Sequence, residues 1–461
     1  VNRNLKRFSP RCGQRKRWAL VSLALLSLCL PALGETISPT VAVDATGDTA
    51  TSSTMVSTAS TSLTLGSAGA VLVMSSFSAM TTNATAQTGS WELRVDGGSA
   101  SQTINRYLSG TNDRGVITAV NIFTGVSSGT SHSFDLYHAT SGTALQTYGT
   151  TLVAIPLVTD SGSALPYGMG TLGSGGESIA STSLTPLATS GSWATVTLAT
   201  AGDIFVAASL NSRSDTGGGN SSRTGQWQLG IYSSDGSTRL GTLGSTVSRF
   251  LSGTADTGAV TLYGLANDYA AGTYVIKLEA ATDSGSKPII TENLTLAAVG
   301  LSLANGQYFD AFQATTASVA TSSTSFTDAL SGSITLPETG QIVLASSFST
   351  SSSAAATGSF RLDDSPNYTG QEVNRYLSGV NDTGSGGVVG LTSSLAAATY
   401  TPSLQYQTTS GTLTASGVTL IGFSTSSTPE PATLALFALV AVPAALALRR
   451  RAARTQGPGE A

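Results

Sequence analysis

Both cysteines of this 461-residue chain, Cys12 and Cys29, fall within the first 34 residues, so everything beyond position 34 is free of cysteine. That excludes disulfides, cysteine-based zinc sites and thiol nucleophiles from the main body at once. Histidine is nearly absent too, with only His132 and His138, and charged residues make up 10% of the sequence. Neither histidine recurs in the repeats described below, so both read as strand residues rather than metal ligands. No Gly-x-Ser-x-Gly elbow, phosphate loop or His-Glu-x-x-His helix occurs. Adjacent Asp363 and Asp364 could suggest glycosidase carboxylates. They have no repeat counterparts, and neighbours on a strand face opposite ways.

Basic charge is just as scarce in the body of the chain. Between Glu35 and Pro431 there are 11 basic and 25 acidic residues, a net of −14. Nucleic acid is therefore excluded as an expected partner, because its phosphates demand the opposite sign. The abundance lies in Ser, Thr, Gly and Ala. Sparse charge with positive mean hydropathy is not a disordered composition, and it reads as β-structure with solvated Ser/Thr faces.

The two ends differ from this body. Residues 1–34 carry Arg3, Lys6, Arg7, Arg11, Arg15, Lys16 and Arg17 with no acid, then the apolar run Ala19 to Leu30, Pro31 and the small-residue pattern Ala32-Leu33-Gly34. That order predicts a signal peptide removed by signal peptidase after Gly34. Bulky Leu28 before Cys29 argues against lipidation. At the other end Pro429-Glu430-Pro431 precedes Ala432 to Leu448, uncharged throughout, and then Arg449, Arg450 and Arg451. Seventeen apolar residues at about 1.5 Å each give roughly 25 Å, enough for a thin bilayer, and the arginines would hold the cytoplasmic side.

This tail, residues 428–454 with a transmembrane helix at 432–448, resembles the PEP-CTERM sorting signal of Gram-negative bacteria that make extracellular polysaccharide. The resemblance implies processing by an exosortase, a membrane-embedded cysteine transpeptidase. It further implies export, transient membrane anchoring, and delivery to the cell surface or extracellular matrix.

Internal repetition organises the rest. Arg-Tyr-Leu-Ser-Gly-Thr-Asn-Asp at Arg106–Asp113 recurs as Arg-Phe-Leu-Ser-Gly-Thr-Ala-Asp at Arg249–Asp256 and Arg-Tyr-Leu-Ser-Gly-Val-Asn-Asp at Arg375–Asp382. Upstream, a Thr-Gly-x-aromatic-x-Leu strand centres on Trp91, Trp227 and Phe360, with a seven-residue insertion in the middle copy. Further upstream lie Ala68-Gly69-Ala70-Val71-Leu72-Val73 and its relatives at Ala201 and Thr339. Such long periods predict tandem domains rather than a solenoid.

Alternating stretches such as Tyr274, Ile276 and Leu278 mark half-buried strands. In the first copy the phase, Phe134, Leu136 and His138, is one residue out of step, and a bulge before Ser141 could absorb it. The expected fold is all-β: three tandem antiparallel β-sandwiches at 58–159, 184–308 and 326–426. The succession of strands resembles the tumour-necrosis-factor-like jelly rolls of bacterial and phage surface proteins. Thr36 to Ser57, Asp160 to Ser183 and Phe309 to Ser325 read as flexible linkers between independent domains, with room for first strands at their ends.

The repeated Arg106, Asp113, Arg249, Asp256, Arg375 and Asp382 admit two readings. One is a structural pair, arginine tied to the aspartate of the following turn. The other is a ligand or calcium site repeated three times, although calcium needs six to eight oxygens and each copy shares one aspartate. No cofactor is expected. The expected function is a non-catalytic surface or matrix protein in an exopolysaccharide layer, with exopolysaccharide as a candidate partner. A carbohydrate-binding module and a secreted hydrolase are the alternatives, the former requiring aromatic side chains gathered on an exposed face or loop.

Overall fold

A computed structural model describes Gly34–Thr428, apart from residues 83, 111–112, 143, 216–221, 254–255, 364–367 and 380–381. The segment expected to be a signal peptide, but for Gly34, and the expected sorting tail at 428–454, but for Thr428, lie outside the described residues, as does the helix expected at 432–448. Among those described, no helix is long and apolar enough to cross a membrane.

The described chain is all-β, with one short 3-10 turn at Ser190–Ser192. In the first repeat eight main strands follow one another: Thr40–Asp44, Val56–Thr64, Gly69–Thr81, Gln87–Val95, Ile104–Leu108, Arg114–Val126, Ser131–Thr140 and Leu145–Pro156. Counted in that order they form one sheet as 1-8-3-6 and a second as 2-7-4-5, the strand order of a jelly roll. The other repeats follow the same plan. Their first-type sheets run Tyr167–Leu172, Ile289–Gly300, Gly202–Ser214, Gly258–Tyr269 and Tyr308–Thr321, Leu413–Thr428, Ile342–Ser352, Gly384–Leu391.

Each sandwich closes on one aromatic ring. Trp91, Trp227 and Phe360 are fully buried, so these repeated aromatics are core residues. A buried indole N–H needs an acceptor: Trp91 Nε1 donates to Thr147 Oγ1 and Trp227 Nε1 to Thr291 Oγ1, both at 2.9 Å. In the third repeat Ala415 occupies the register position of those threonines. Phe360 has no N–H, and the hydroxyl is gone with the need for it.

The segments expected to be flexible linkers are structured, and the first strands allowed for at their ends are present. Thr40–Asp44, Tyr167–Leu172 and Tyr308–Thr321 are first strands, paired with the last strand of their own repeat. Pairing along the edge of each 1-8-3-6 sheet satisfies backbone groups that a Ser/Thr-rich linker would leave to water. The one-residue slip in the first repeat is not a bulge before Ser141 either, since Gly89 to Val95 pair with Thr140 to Phe134 without a shift.

Nor are the repeats independent. The 1-8-3-6 sheets are apolar on both faces, as in Gly69–Thr81, where Val71 and Val73 fill the first sandwich while Leu72 and Met74 enter a second core. That second core also takes Phe205 and Tyr263 from the middle repeat and Val343 and Phe423 from the third. Three sheets thus face a common axis.

Two rings of hydrogen bonds close around it. The Val120 N–H donates to Ser209 Oγ, Tyr263 to Ser347 and Val389 to Ser76, each at 3.1 Å. The Asn105 N–H donates to Asn211 Oδ1 at 2.9 Å, Ser248 to Ser349 Oγ and Asn374 to Ser78 Oγ at 2.6 Å. Each ring runs first to second, second to third and third back to first. The acceptors flank a register shift in each third strand, where a bulge disrupts the ladder and re-aims side chains. Many serines expected on solvated faces are therefore buried between repeats as acceptors.

Candidate functional site

The arginine motif occupies the fifth strand and the turn after it. Along Ile104–Leu108 burial alternates, which directs Arg106 inward with Ile104 and Leu108 while Tyr107 faces away. Arg106, Arg249 and Arg375 are 4%, 3% and 4% exposed. Each reaches the aspartate seven residues on: Arg106 Nη2 to Asp113 Oδ1 at 3.2 Å, Arg249 Nη2 to Asp256, and Arg375 Nη2 to Asp382 Oδ1 at 3.5 Å. The second carboxylate oxygen takes the backbone N–H and hydroxyl of the serine four residues earlier, Ser109, Ser252 or Ser378, at 2.9–3.1 Å.

Spacing did not reveal that the three pairs meet. Arg106, Arg249, Arg375 and their aspartates line one cavity of about 670 Å³ at the end of the axis. Tyr107, Phe250 and Tyr376 line it too, with the exposed Ser109, Ser252 and Ser378. Neighbouring repeats are stitched together beside it, the Tyr107 N–H donating to Thr257 O at 2.8 Å and the Phe250 N–H to Thr383 O at 2.7 Å.

The electrostatics cross the repeat boundaries. Burial pushes the Asp113 carboxyl up, but Arg106, the Ser109 N–H and Arg375 of the third repeat outweigh it and hold Asp113 below its usual range. Asp256 is likewise held down against burial by Arg249, the Ser252 N–H and Arg106 of the first repeat. Arg375 is lowered to about 10 by burial first and then by Arg106, with Asp382 opposing and Arg249 adding to the effect. The site is a ring of arginines and aspartates from three repeats, in which Asp113, Asp256 and Arg375 each feel charges of a neighbouring repeat.

Sequence reading missed the glycine nine residues beyond each arginine. Gly115, Gly258 and Gly384 lie beneath the guanidinium groups, and a β-carbon on any of them would run into that guanidinium. The three-fold recurrence of glycine at this offset was the available signal.

The other candidates lie apart. His138 is buried, with Nδ1 2.8 Å from Thr147 Oγ1, and burial lowers its pKa. His132 Nδ1 sits 2.7 Å from Asp96 Oδ2 near a strand end. Asp363 accepts from Gln405 Nε2 at 2.9 Å, and Asp364 lies outside the described residues. Among the described residues no group of three or more His, Cys, Asp or Glu side chains could hold a metal. Pro429, Glu430, Pro431, Arg449, Arg450 and Arg451, expected to form a sorting motif, also lie outside them.

No family profile matches the chain, and no curated protein sequence matches it. Among solved structures it is similar to Eiger TNF from S. frugiperda, at 12% identity and a TM-score of 0.19, over 25% of this chain and 91% of that one. It is similar to the CBM22-1-CBM22-2 tandem domain from Paenibacillus barcinonensis Xyn10C at 12% identity and 0.19, over 57% and 93%. A third similarity, at 11% identity and 0.17 over 88% and 93%, is to a triple jelly roll protein of an archaeal virus. The assignment of sandwiches rests on the strand pairing itself.

Proposed function

We propose that this chain is a non-catalytic exported surface or matrix protein, anchored in transit by its C-terminal segment and released or retained through exosortase-type sorting. The observation that carries the reading is the placement of the two ends of the head. The Ser427 N–H donates to Glu35 O at 2.8 Å, the Glu35 N–H to Ser427 Oγ at 2.7 Å, and the Ile37 N–H to Thr425 O at 2.9 Å. Chain entry and exit are thus adjacent, as suits a head whose leader and tail are both removed or tethered at one point.

The arginine ring lies at the other pole. Gly384, under Arg375, pairs with Thr350, which pairs with Ala415. From Ala415 the last strand continues to Thr428, roughly 40 Å at strand rise. The cavity therefore lies at the far end of that strand from the paired Glu35 and Ser427. That cavity also favours the carbohydrate-binding alternative, because it gathers three aromatic residues at one solvent-open site, whereas Trp91, Trp227 and Phe360 are core.

Mass spectrometry of protein recovered from the surface of the native host tests the sorting reading. Mature protein should begin near Glu35 and lack the arginine cluster. Intact Arg449 to Ala461 on surface-exposed protein contradicts the proposal.

A further inference from the structure

We infer that the axial cavity binds a single acidic sugar residue, its carboxylate taken by Arg106, Arg249 and Arg375 and its ring seated among Tyr107, Phe250 and Tyr376, which line the cavity although they alternate with the arginines along the strand. The inference rests on the reading that this head binds rather than cleaves, and it names the class of ligand.

Unpaired donors in the ring call for an anion. Every carboxylate in the ring is consumed: one oxygen takes the guanidinium of its own repeat, the other the serine N–H and hydroxyl. On the donor side Arg106 Nε and Nη1, Arg249 Nε, and Arg375 Nε and Nη1 are buried with no partner. Buried guanidinium nitrogens ordinarily find acceptors, and leaving them unbonded is costly. What the ring lacks is an acceptor. Desolvation points the same way, since the arginine side chains are 4–5% exposed and the aspartates 18–27%. The cations have given up more water than the anions, and a planar carboxylate is the group that a guanidinium fork receives best.

The size and lining of the cavity suit a sugar. A bare inorganic anion needs neither three aromatic residues nor about 670 Å³, a volume within the range of small-molecule sites. Aromatic residues offer apolar faces to a sugar ring, and the exposed Ser109, Ser252 and Ser378 offer hydroxyls to its hydroxyls. Because the cavity lies on the axis, three repeats build one site and not three.

The test is calorimetric titration of the full chain, held in mild detergent, with glucuronic acid, glucose and sulfate as separate probes. One equivalent of glucuronate per chain is expected, at least tenfold tighter than glucose or sulfate. Arg375→Gln should abolish binding; should that variant fail to fold, Tyr376→Ala should still weaken binding tenfold or more with the fold retained by circular dichroism. Equal affinity for glucose overturns the role of the arginines. Equal affinity for sulfate reduces the site to an inorganic anion site and overturns the sugar. Three equivalents, or no binding of any probe, overturns the inference outright. Incubation with an oligouronide supplies the separate control: new reducing ends sink the non-catalytic reading, whereas an intact oligomer that fails to bind sinks only this inference.

Discussion

Replacing Phe423 by alanine distinguishes a shared core from three separate ones. Phe423 is 3% exposed in the third repeat, and its ring lies 5.2 Å from that of Phe205 in the second. Truncating a buried phenylalanine costs about 3–5 kcal/mol, so about 4 is a fair working figure. If Glu35–Thr428 melts as one body of about 390 residues, its unfolding entropy is about 0.8 kcal/mol/K, and 4 kcal/mol lowers Tm by about 5 °C. If the third sandwich of about 120 residues melted alone, the same loss would lower its own transition by about 15 °C. Differential scanning calorimetry of the full chain separates the two. The expected result is one endotherm displaced as a whole by about 5 °C. An endotherm that splits, with about a third of the enthalpy moving down by about 15 °C and the rest unmoved, refutes the shared core.

Two further outcomes follow from particular residues. Burial raises Asp203 to about 6, with the Asp268 N–H opposing and the Asp268 and Asp310 carboxylates adding to the rise. The folded state therefore holds more protons than the unfolded state between about pH 4 and pH 6, and stability falls as pH rises through that window, by roughly 2 kcal/mol after allowance for solvent screening. Denaturant melts should show Asp203→Asn more stable than the parent at pH 7.5 by about that amount and equal to it at pH 4; a constant difference at both pH values counts against the assignment. Gly384→Ala should cost about 1–3 kcal/mol by forcing Arg375 off its seat, while Gly173→Ala, with open space around it, should stay within about 0.5 kcal/mol. Thermal melts that rank the two alike would remove the case for glycine under the arginine.

The sandwiches were legible because half-buried strands advertise themselves by alternation, and the octamer beginning at Arg106 announced the repeat. The packing of the repeats on one another was less visible, although its signal was present. Val71-Leu72-Val73-Met74 and Ile342-Val343-Leu344-Ala345 are continuously apolar, as strands buried on both faces are, but the same stretches also serve as repeat markers. Ser76, Ser209 and Ser347 looked like solvent-facing residues because a hydroxyl that accepts a neighbour's backbone N–H is indistinguishable in sequence from one that meets water. The partners of the arginines follow from local spacing. Their convergence does not, because it depends on the rotation between sandwiches, which no single repeat encodes.

The two hydrogen-bond rings that run from the first repeat to the third and back again carry a consequence for behaviour on dilution. A ring made of three separate protomers is at the mercy of dilution, since its stability is tied to protomer concentration. Here the three protomers are one polypeptide, so the assembly keeps its integrity at any dilution. Covalent joining also releases the three members from the demand for identity. One can carry phenylalanine at 250 where its fellows carry tyrosine, or a longer hairpin at Arg239–Leu251, without the change being imposed three times over.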